Sequence, residues 1–133
     1  MGKGLMRILV VDDELSICEL LYEFLSQQGY QVTTATNGEE AISKFEENRP
    51  HMVILDIKMP GMSGIDVLRK IREMDRDTGV IMLSAFGDFN SIQEALHMGA
   101  NYYIEKPMEL ERLMKILIAW QESVGIRGTD DIS

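Results

Sequence analysis

The feature that most constrains the fold is an alternation of two hydrophobic periods, repeated five times along the 133 residues. Short apolar runs rich in β-branched residues are typical of buried strands. They alternate with longer stretches whose apolar residues recur every three or four positions, as in amphipathic helices. Such alternation predicts a parallel sheet covered by helices on both faces, an α/β fold. The length suits one domain rather than two.

The predicted elements follow from these periods and from the glycines and prolines between them. The predicted strands are Arg7–Val11, Gln31–Ala35, Met52–Leu55, Val80–Leu83 and Tyr102–Ile104. The predicted helices are Ser16–Gln28, Glu39–Glu47, Ile65–Met74, Asp88–Met98 and Glu109–Gln121, the fourth capped by Asp88 or Asn90. Residues predicted to face the core include Ile17, Leu20, Leu21, Phe24 and Leu25 of the first helix, and Trp120 of the last.

Polar residues follow four of the five predicted strands at the point where each strand ends. Asp12 and Asp13 follow the first strand, Asp56 the third, Ser84 the fourth and Lys106 the fifth. In open parallel sheets, ligands bind beyond the carboxyl ends of the strands. We therefore expect these side chains to meet along one edge of the sheet.

Three carboxylates at one edge repel one another unless a positive charge lies between them. Carboxylate and carbonyl oxygens are the ligands that hard cations prefer, and Mg²⁺ takes one or two carboxylates together with phosphate oxygens. An aspartate can also act as a nucleophile and carry a phosphoryl group, and Asp56 is the candidate. Lys106 would supply a compact positive charge for a phosphate oxygen, and Ser84 a hydroxyl donor.

Each of these residues also has an ordinary structural explanation. Asp12 and Asp13 could cap the following helix, and Asp56 could be a solvated loop acid. Ser84 could be a turn residue, and Lys106 a solvated charge. Their coincidence at four strand ends favours a common site.

Composition excludes several classes of function. The net charge of −9 disfavours a nucleic-acid surface and an anionic membrane surface. No apolar run reaches the length of a membrane span, and the N-terminus lacks the pattern of a signal peptide, so a cytoplasmic location is expected. The single cysteine, Cys18, is interpreted as a small core residue rather than a reactive thiol.

Four motifs carry a resemblance to a known family. They are VVDDE at Val10–Glu14, VILDIKMPGMSGID at Val53–Asp66, MLSAFGD at Met82–Asp88 and GANYYIEKP at Gly99–Pro107. In this order and spacing the sequence resembles the receiver domain of bacterial two-component response regulators, from roughly Arg7 to Glu122. The resemblance implies the flavodoxin-like (βα)5 receiver fold, a doubly wound five-stranded parallel sheet with strand order 2-1-3-4-5.

The resemblance also implies a role for individual residues. Asp56 matches the phospho-accepting aspartate, and Mg²⁺ or Mn²⁺ would bind the site. The implied metal ligands are Asp12, Asp13, Asp56 and the backbone carbonyl of Lys58. Ser84 and Lys106 match the residues that bind the phosphoryl group, Tyr103 matches the aromatic switch residue, and a cis bond is expected between Lys106 and Pro107. Lys58 and Phe86 occupy the positions that influence the lifetime of the phosphoryl group.

The implied function is a switch rather than an enzyme acting on external substrates. A sensor histidine kinase or phosphotransfer protein would donate the phosphoryl group. The fourth helix, fifth strand and fifth helix would then present a changed surface to an output domain, a protein partner or a second copy of the chain. Residues 1–124 would form the receiver domain, and residues 125–133 a flexible tail or the start of a linker.

Three alternatives remain open at this stage. A phosphohydrolase using an aspartyl phosphate would require a second acid two residues after the nucleophile, where this chain has Lys58. A nucleotide- or flavin-binding domain would require a glycine-rich loop after the first strand, where this chain has Asp12, Asp13 and Glu14. The third alternative is a docking scaffold that works without phosphorylation.

Overall fold

A computed structural model describes residues 6–125, in which five strands alternate with five helices. The strands are β1 (Arg7–Val11), β2 (Gln31–Ala35), β3 (Met52–Asp56), β4 (Gly79–Ser84) and β5 (Tyr102–Glu105). The helices are α1 (Leu15–Gln27), α2 (Gly38–Asn48), α3 (Gly64–Met74), α4 (Phe89–His97) and α5 (Leu110–Ser123). Within these residues no helix is long and apolar enough to cross a bilayer.

All strand pairs are parallel, and the strand order is β2-β1-β3-β4-β5. This confirms the doubly wound flavodoxin-like fold. Because β1 and β3 lie side by side at the centre, their carboxyl ends are adjacent. β4 follows next to β3, with Leu83 paired to Asp56, and the register thus brings the ends of β1, β3, β4 and β5 to one edge of the sheet.

Alternate strand residues pack into two separate cores, one on each face of the sheet. Leu9 and Val11 of β1 join the core formed with α2, α3 and α4, whereas Ile8 and Val10 join the core formed with α1 and α5. Every residue of β3 is buried, as expected for a central parallel strand covered on both faces. Trp120 and Cys18 are both core residues, as predicted.

The loop between β3 and α3 is fixed against the carboxyl end of β3. Ser63 and Asp66 form a reciprocal capping box at the start of α3. Gly64 packs so closely on the backbone of Asp56 and Ile57 that a Cβ atom at position 64 would overlap both. The Gly64 N–H donates to the Ile57 carbonyl at 2.7 Å. This contact anchors the residues that follow Asp56.

Three details of the sequence-based prediction are wrong or untested. Leu20 is 46% exposed, because the buried stripe of α1 consists of Cys18, Leu21 and Leu25, and Leu20 lies on its solvent flank. Asp88 occupies the N-cap position of α4, but its side chain makes no capping hydrogen bond. The prediction of a flexible tail falls mostly on residues 126–133, which lie outside the described residues.

Candidate functional site

The acidic side chains predicted to meet do so at the carboxyl edge of the sheet. Asp12, Asp13 and Asp56 each place a carboxylate oxygen within 4.8 Å of the others. Asp12 and Asp56 are buried, whereas Asp13 is exposed. Neither Asp12 nor Asp13 caps α1: the N-cap residue is Glu14, which makes no side-chain capping bond. Asp12 Oδ1 instead accepts the Glu14 N–H at 2.9 Å. The helix-cap explanation for the acidic pair is therefore wrong.

Lys106 brings the compensating positive charge. Its Nζ lies 3.0 Å from Asp12 Oδ2, 3.4 Å from Glu14 Oε1 and 3.5 Å from Asp56 Oδ1. The Lys106 backbone N–H donates to the Ser84 carbonyl at 2.8 Å, which continues the pairing of β4 with β5 past the end of the strands. The Lys106–Pro107 peptide bond is cis. Because its Nζ contacts three carboxylates, Lys106 is held at the acidic cluster, and its explanation as a solvated surface charge is wrong.

Burial and a neighbouring like charge raise the pKa of the Asp56 carboxyl at this edge. Desolvation and the neighbouring Asp12 charge raise the pKa of Asp56 to about 6, although Lys106 acts in the opposite direction. Burial alone would lower the pKa of Lys106, but Asp12, Asp56 and Glu14 outweigh it and raise that pKa. One lysine thus only partly neutralises the carboxylates around it. The arrangement favours a further cation at this edge.

Two of the predicted site residues have a polar atom that is buried without a hydrogen-bond partner among residues 6–125. One is the hydroxyl oxygen of Ser84, which is fully buried at the end of β4. The other is Asp12 Oδ2, which meets Lys106 Nζ as an ion pair without the alignment of a hydrogen bond. Buried polar groups normally have partners, and unsatisfied ones are common where a ligand binds. Both atoms therefore keep hydrogen-bonding capacity that a bound ligand could use.

These donor groups fit a hard divalent cation. Every candidate ligand is an oxygen, two of the three aspartates are buried, and the local charge is negative. Nitrogen or sulfur ligands, which softer metals prefer, are absent from the cluster that the described residues form. Asp12, Asp13 and Asp56 are the side chains that would hold Mg²⁺ or Mn²⁺, and the Lys58 carbonyl as a further ligand stays a prediction.

The remaining predicted residues lie in the loops and strands next to those that carry this cluster. Lys58 lies in the loop after β3 with its side chain exposed. Tyr103, in the edge strand β5, is 41% exposed and therefore occupies an outward position. Phe86, in the loop after β4, is 85% exposed. These three side chains come from two loops and one strand, and none of them is buried.

Sequence reasoning missed two contacts at this edge. Glu14 was recognised as part of an acidic run, but its contact with Lys106, 92 positions away, was not predicted. Glu105 accepts a hydrogen bond from the Gly87 N–H at 3.1 Å, which links β5 to the loop after β4. The only signal for either was adjacency to a predicted site residue. Adjacency along the chain does not specify which long-range partner a side chain meets.

The chain is similar to known proteins in sequence and in fold. The sequence model described as "Response regulator receiver domain" matches residues 8–118. Sporulation initiation phosphotransferase F of Bacillus subtilis (strain 168) is 37% identical over 107 residues, covering 80% of this chain and 86% of that protein. The crystal structure of a response regulator receiver domain protein from Clostridium thermocellum superimposes with a TM-score of 0.86 at 33% identity, covering 92% of this chain and 98% of that one.

Other relatives are longer than the chain. The probable transcriptional regulator ycf27 of Cyanophora paradoxa is 41% identical over 126 residues, which cover 92% of this chain but 52% of that protein. The chain thus spans about half the length of this relative. The match therefore says nothing about the function of the remaining part of that protein.

Proposed function

Because the chain belongs to the response regulator receiver domain family, we propose that Asp56 accepts a phosphoryl group from the phosphohistidine of a sensor kinase or phosphotransfer protein. The single observation that carries the proposal is the convergence of Asp12, Asp13, Asp56 and Lys106, all within a few ångströms at one edge of the sheet. No purely structural role requires three acids and one lysine to be concentrated there.

The chemical step follows from the properties of Asp56. A carboxylate oxygen of Asp56 attacks phosphorus, the P–N bond of phosphohistidine breaks, and the imidazole nitrogen retains the electron pair and takes up a proton. With a pKa of about 6, Asp56 is mostly ionised at neutral pH and can act as the nucleophile. When bound, Mg²⁺ supplies positive charge that neutralises the transferring phosphoryl oxygens.

The neighbouring residues stabilise the product. Lys106 Nζ lies 3.5 Å from Asp56 Oδ1, close enough to pair with an oxygen of a phosphoryl group attached to that carboxylate. The unpartnered Ser84 hydroxyl is available to donate to a second phosphoryl oxygen. Both interactions require the phosphorylated form and would be lost on hydrolysis. They provide the local charge change that a two-state switch needs.

We propose that this local change reaches the surface formed by α4, β5 and α5. As Ser84 turns toward the phosphoryl group, the loop after β4 moves and Tyr103 leaves its outward position for the space vacated. The altered surface then controls an output domain that follows this domain in the full-length protein, a separate partner, or dimerisation. Residues 1–124 as the receiver domain, a cytoplasmic location and the absence of other catalysis belong to the same proposal.

The main rival is a scaffold that works without phosphorylation. It would use the same fold and surface, but it would give no reason for the unpartnered Ser84 hydroxyl or for the raised pKa of Asp56. A phosphohydrolase is disfavoured by Lys58 at the position of its second acid. A glycine-rich phosphate loop is absent after β1, where the chain has Asp12 and Asp13.

The test is intact mass after incubation with acetyl phosphate, with and without Mg²⁺. We expect the wild-type protein to gain the mass of one phosphoryl group in a Mg²⁺-dependent manner, and Asp56→Asn to gain none. Asp77→Asn is the matched control, because Asp77 is an exposed aspartate in the turn after α3, remote from the acidic edge. It should behave as the wild type does.

A short-lived adduct could escape detection by mass, so a second probe is needed. Beryllium trifluoride with Mg²⁺ mimics a phosphoryl group on aspartate and does not hydrolyse. If folded wild-type protein neither gains mass nor binds this probe, phosphorylation of Asp56 is refuted and the scaffold function leads. If Asp56→Asn gains mass equally, the acceptor is a different residue.

A further inference from the structure

The loop that joins β4 to α4, residues 85–88, determines how freely Ser84 can move. It follows Ser84 directly and carries Phe86, whose side chain is 85% exposed. Ser84 itself is fully buried, with a hydroxyl that has no partner within residues 6–125. A backbone shift that moves this hydroxyl toward a ligand at Asp56 also moves the loop, because the loop follows Ser84 directly in the chain. What holds the loop in place therefore matters for the switch.

The loop is weakly held by its own residues. Its internal bonds are two backbone contacts of the tight-turn type, Asp88 N–H to the Ala85 carbonyl at 3.2 Å and Phe89 N–H to the Gly87 carbonyl at 2.9 Å. α4 begins without a side-chain cap, because Asp88 makes no capping bond and its Oδ2 is buried without a partner in the described part of the chain. Gly87 has a φ of +81°, which favours glycine.

One hydrogen bond ties this loop to the neighbouring strand. The Gly87 N–H donates to Glu105 Oε2 at 3.1 Å, and no other bond within residues 6–125 links positions 85–87 to β5 through a side chain. A carboxylate acceptor makes such a bond stronger than one between neutral groups. Glu105 is the last residue of β5, and it pairs in register with Ser84. This hydrogen bond, here called the tether, joins β5, which ends just before Lys106, to the loop that follows Ser84.

The tether lies on the same side of β5 as the aromatic predicted to switch. Successive strand residues point to opposite faces, so Tyr103 and Glu105 project together while Ile104 enters the core of α1 and α5. Tyr103 is 41% exposed in this arrangement. The outward tyrosine, the Glu105 carboxylate and the loop therefore share one side of the strand.

We propose that Glu105 is a positioning residue that holds the β4–α4 loop in its unmodified arrangement, and that Gly87 leaves Glu105 when a phosphoryl group binds at Asp56. The inference rests on the proposed function. The acceptor stabilises the resting arrangement, so the phosphoryl group must overcome the tether to recruit Ser84. The strength of the tether then sets what fraction of the protein is switched at a given level of phosphorylation.

The first experiment tests the tether without any phosphoryl chemistry. Amide hydrogen exchange of Gly87 is measured by NMR in the metal-free wild-type protein, in Glu105→Ala and in Glu105→Gln. We expect faster exchange of the Gly87 amide in Glu105→Ala, while Glu105→Gln keeps an acceptor oxygen and retains most of the protection. Amides in the centre of β3 report whether the fold is intact. Equal Gly87 exchange in all three proteins would overturn the proposal.

The second experiment tests the effect on the switch. Binding of beryllium trifluoride is titrated at constant Mg²⁺, and we expect Glu105→Ala to bind about two- to fivefold more tightly, the range given by losing one hydrogen bond of the resting state. Glu105→Gln controls for charge, because it removes the same negative charge near the anion but keeps the acceptor. It should bind close to the wild-type affinity.

The outcomes separate the two proposals. If Glu105→Gln and Glu105→Ala gain affinity equally, simple electrostatic repulsion of the anion explains the effect and the tether is refuted. If neither gains affinity, the tether does not oppose switching and is also refuted. If wild-type protein binds no beryllium trifluoride, the proposed function fails and the switch role fails with it, whereas Gly87 exchange still shows whether the bond exists.

Discussion

Replacing Asp56 by asparagine should stabilise the metal-free protein at neutral pH. The carboxyl is buried beside Asp12, and its pKa in the folded protein is raised to about 6 from an ordinary value of 3.8. A group whose folded-state pKa is raised binds more protons in the native than in the unfolded state between these values. The free energy of unfolding therefore falls as pH rises through this window. At neutral pH the ionised Asp56 opposes folding.

The magnitude follows from the size of the shift. Two pKa units correspond to about 3 kcal/mol at pH 7, since one unit is about 1.4 kcal/mol. Asparagine removes this penalty, but it also loses the attraction to Lys106 at 3.5 Å and replaces an acceptor oxygen by a donor. We therefore expect Asp56→Asn to gain about 1–3 kcal/mol at pH 7, or several degrees in melting temperature for a domain of this size.

The assay is urea denaturation of wild type and Asp56→Asn in EDTA between pH 4 and pH 8. Taking the difference between the two proteins cancels the titration of the groups that do not interact with Asp56. The difference should be small near pH 4, where Asp56 is protonated, and should grow to its full value above pH 6. Asp77→Asn, which removes an exposed acid from the same chain, should stay within about 0.5 kcal/mol of wild type.

Mg²⁺ provides a second arm of the same test. A cation that binds only the native state raises the free energy of unfolding in proportion to the logarithm of its concentration. Mg²⁺ should raise the free energy of unfolding more for wild type than for Asp56→Asn. The stability advantage of Asp56→Asn should therefore shrink as Mg²⁺ is added. The predicted burial penalty of Asp56 is wrong in any of three cases: if Asp56→Asn gains stability equally at every pH, if it gains no more than Asp77→Asn does, or if it loses stability.

Three further predictions concern the residues that build the site and its support. Gly64→Ala should lower the free energy of unfolding, measured by urea denaturation, by more than about 2 kcal/mol. It should also weaken Mg²⁺ binding, because the added Cβ overlaps the Asp56 backbone. Ser63→Ala should cost about 1 kcal/mol, measured in the same way, by removing the capping box with Asp66. Phe45→Ala should lower the free energy of unfolding by about 3–5 kcal/mol without changing Mg²⁺ affinity. Phe45 is fully buried near the C-terminal end of α2, which contacts Arg7 at the amino end of β1, the opposite edge of the sheet.

The order and type of the elements follow from local patterns in the sequence. The period of β3 and the polar residue that ends it are local properties, so the place of Asp56 at a strand end could be predicted from a few neighbouring residues. The same holds for Asp12, Ser84 and Lys106. The preference of parallel strands for helices on both faces then restricts the architecture, and four strand ends on one edge follow without further information.

Which of these groups touch, and how strongly they interact, depends on how the elements pack. Asp12 and Lys106 are 94 positions apart, and their 3.0 Å contact depends on the register of β1, β3, β4 and β5. The raised pKa of Asp56 depends on its burial and on the charge of Asp12, 44 positions away, which no local window of sequence records. Leu20 was misplaced for the same reason: the period of α1 predicts an apolar face, but only packing against the sheet determines its width. Local periods are set by the backbone, whereas distances and solvation are set by how the elements pack.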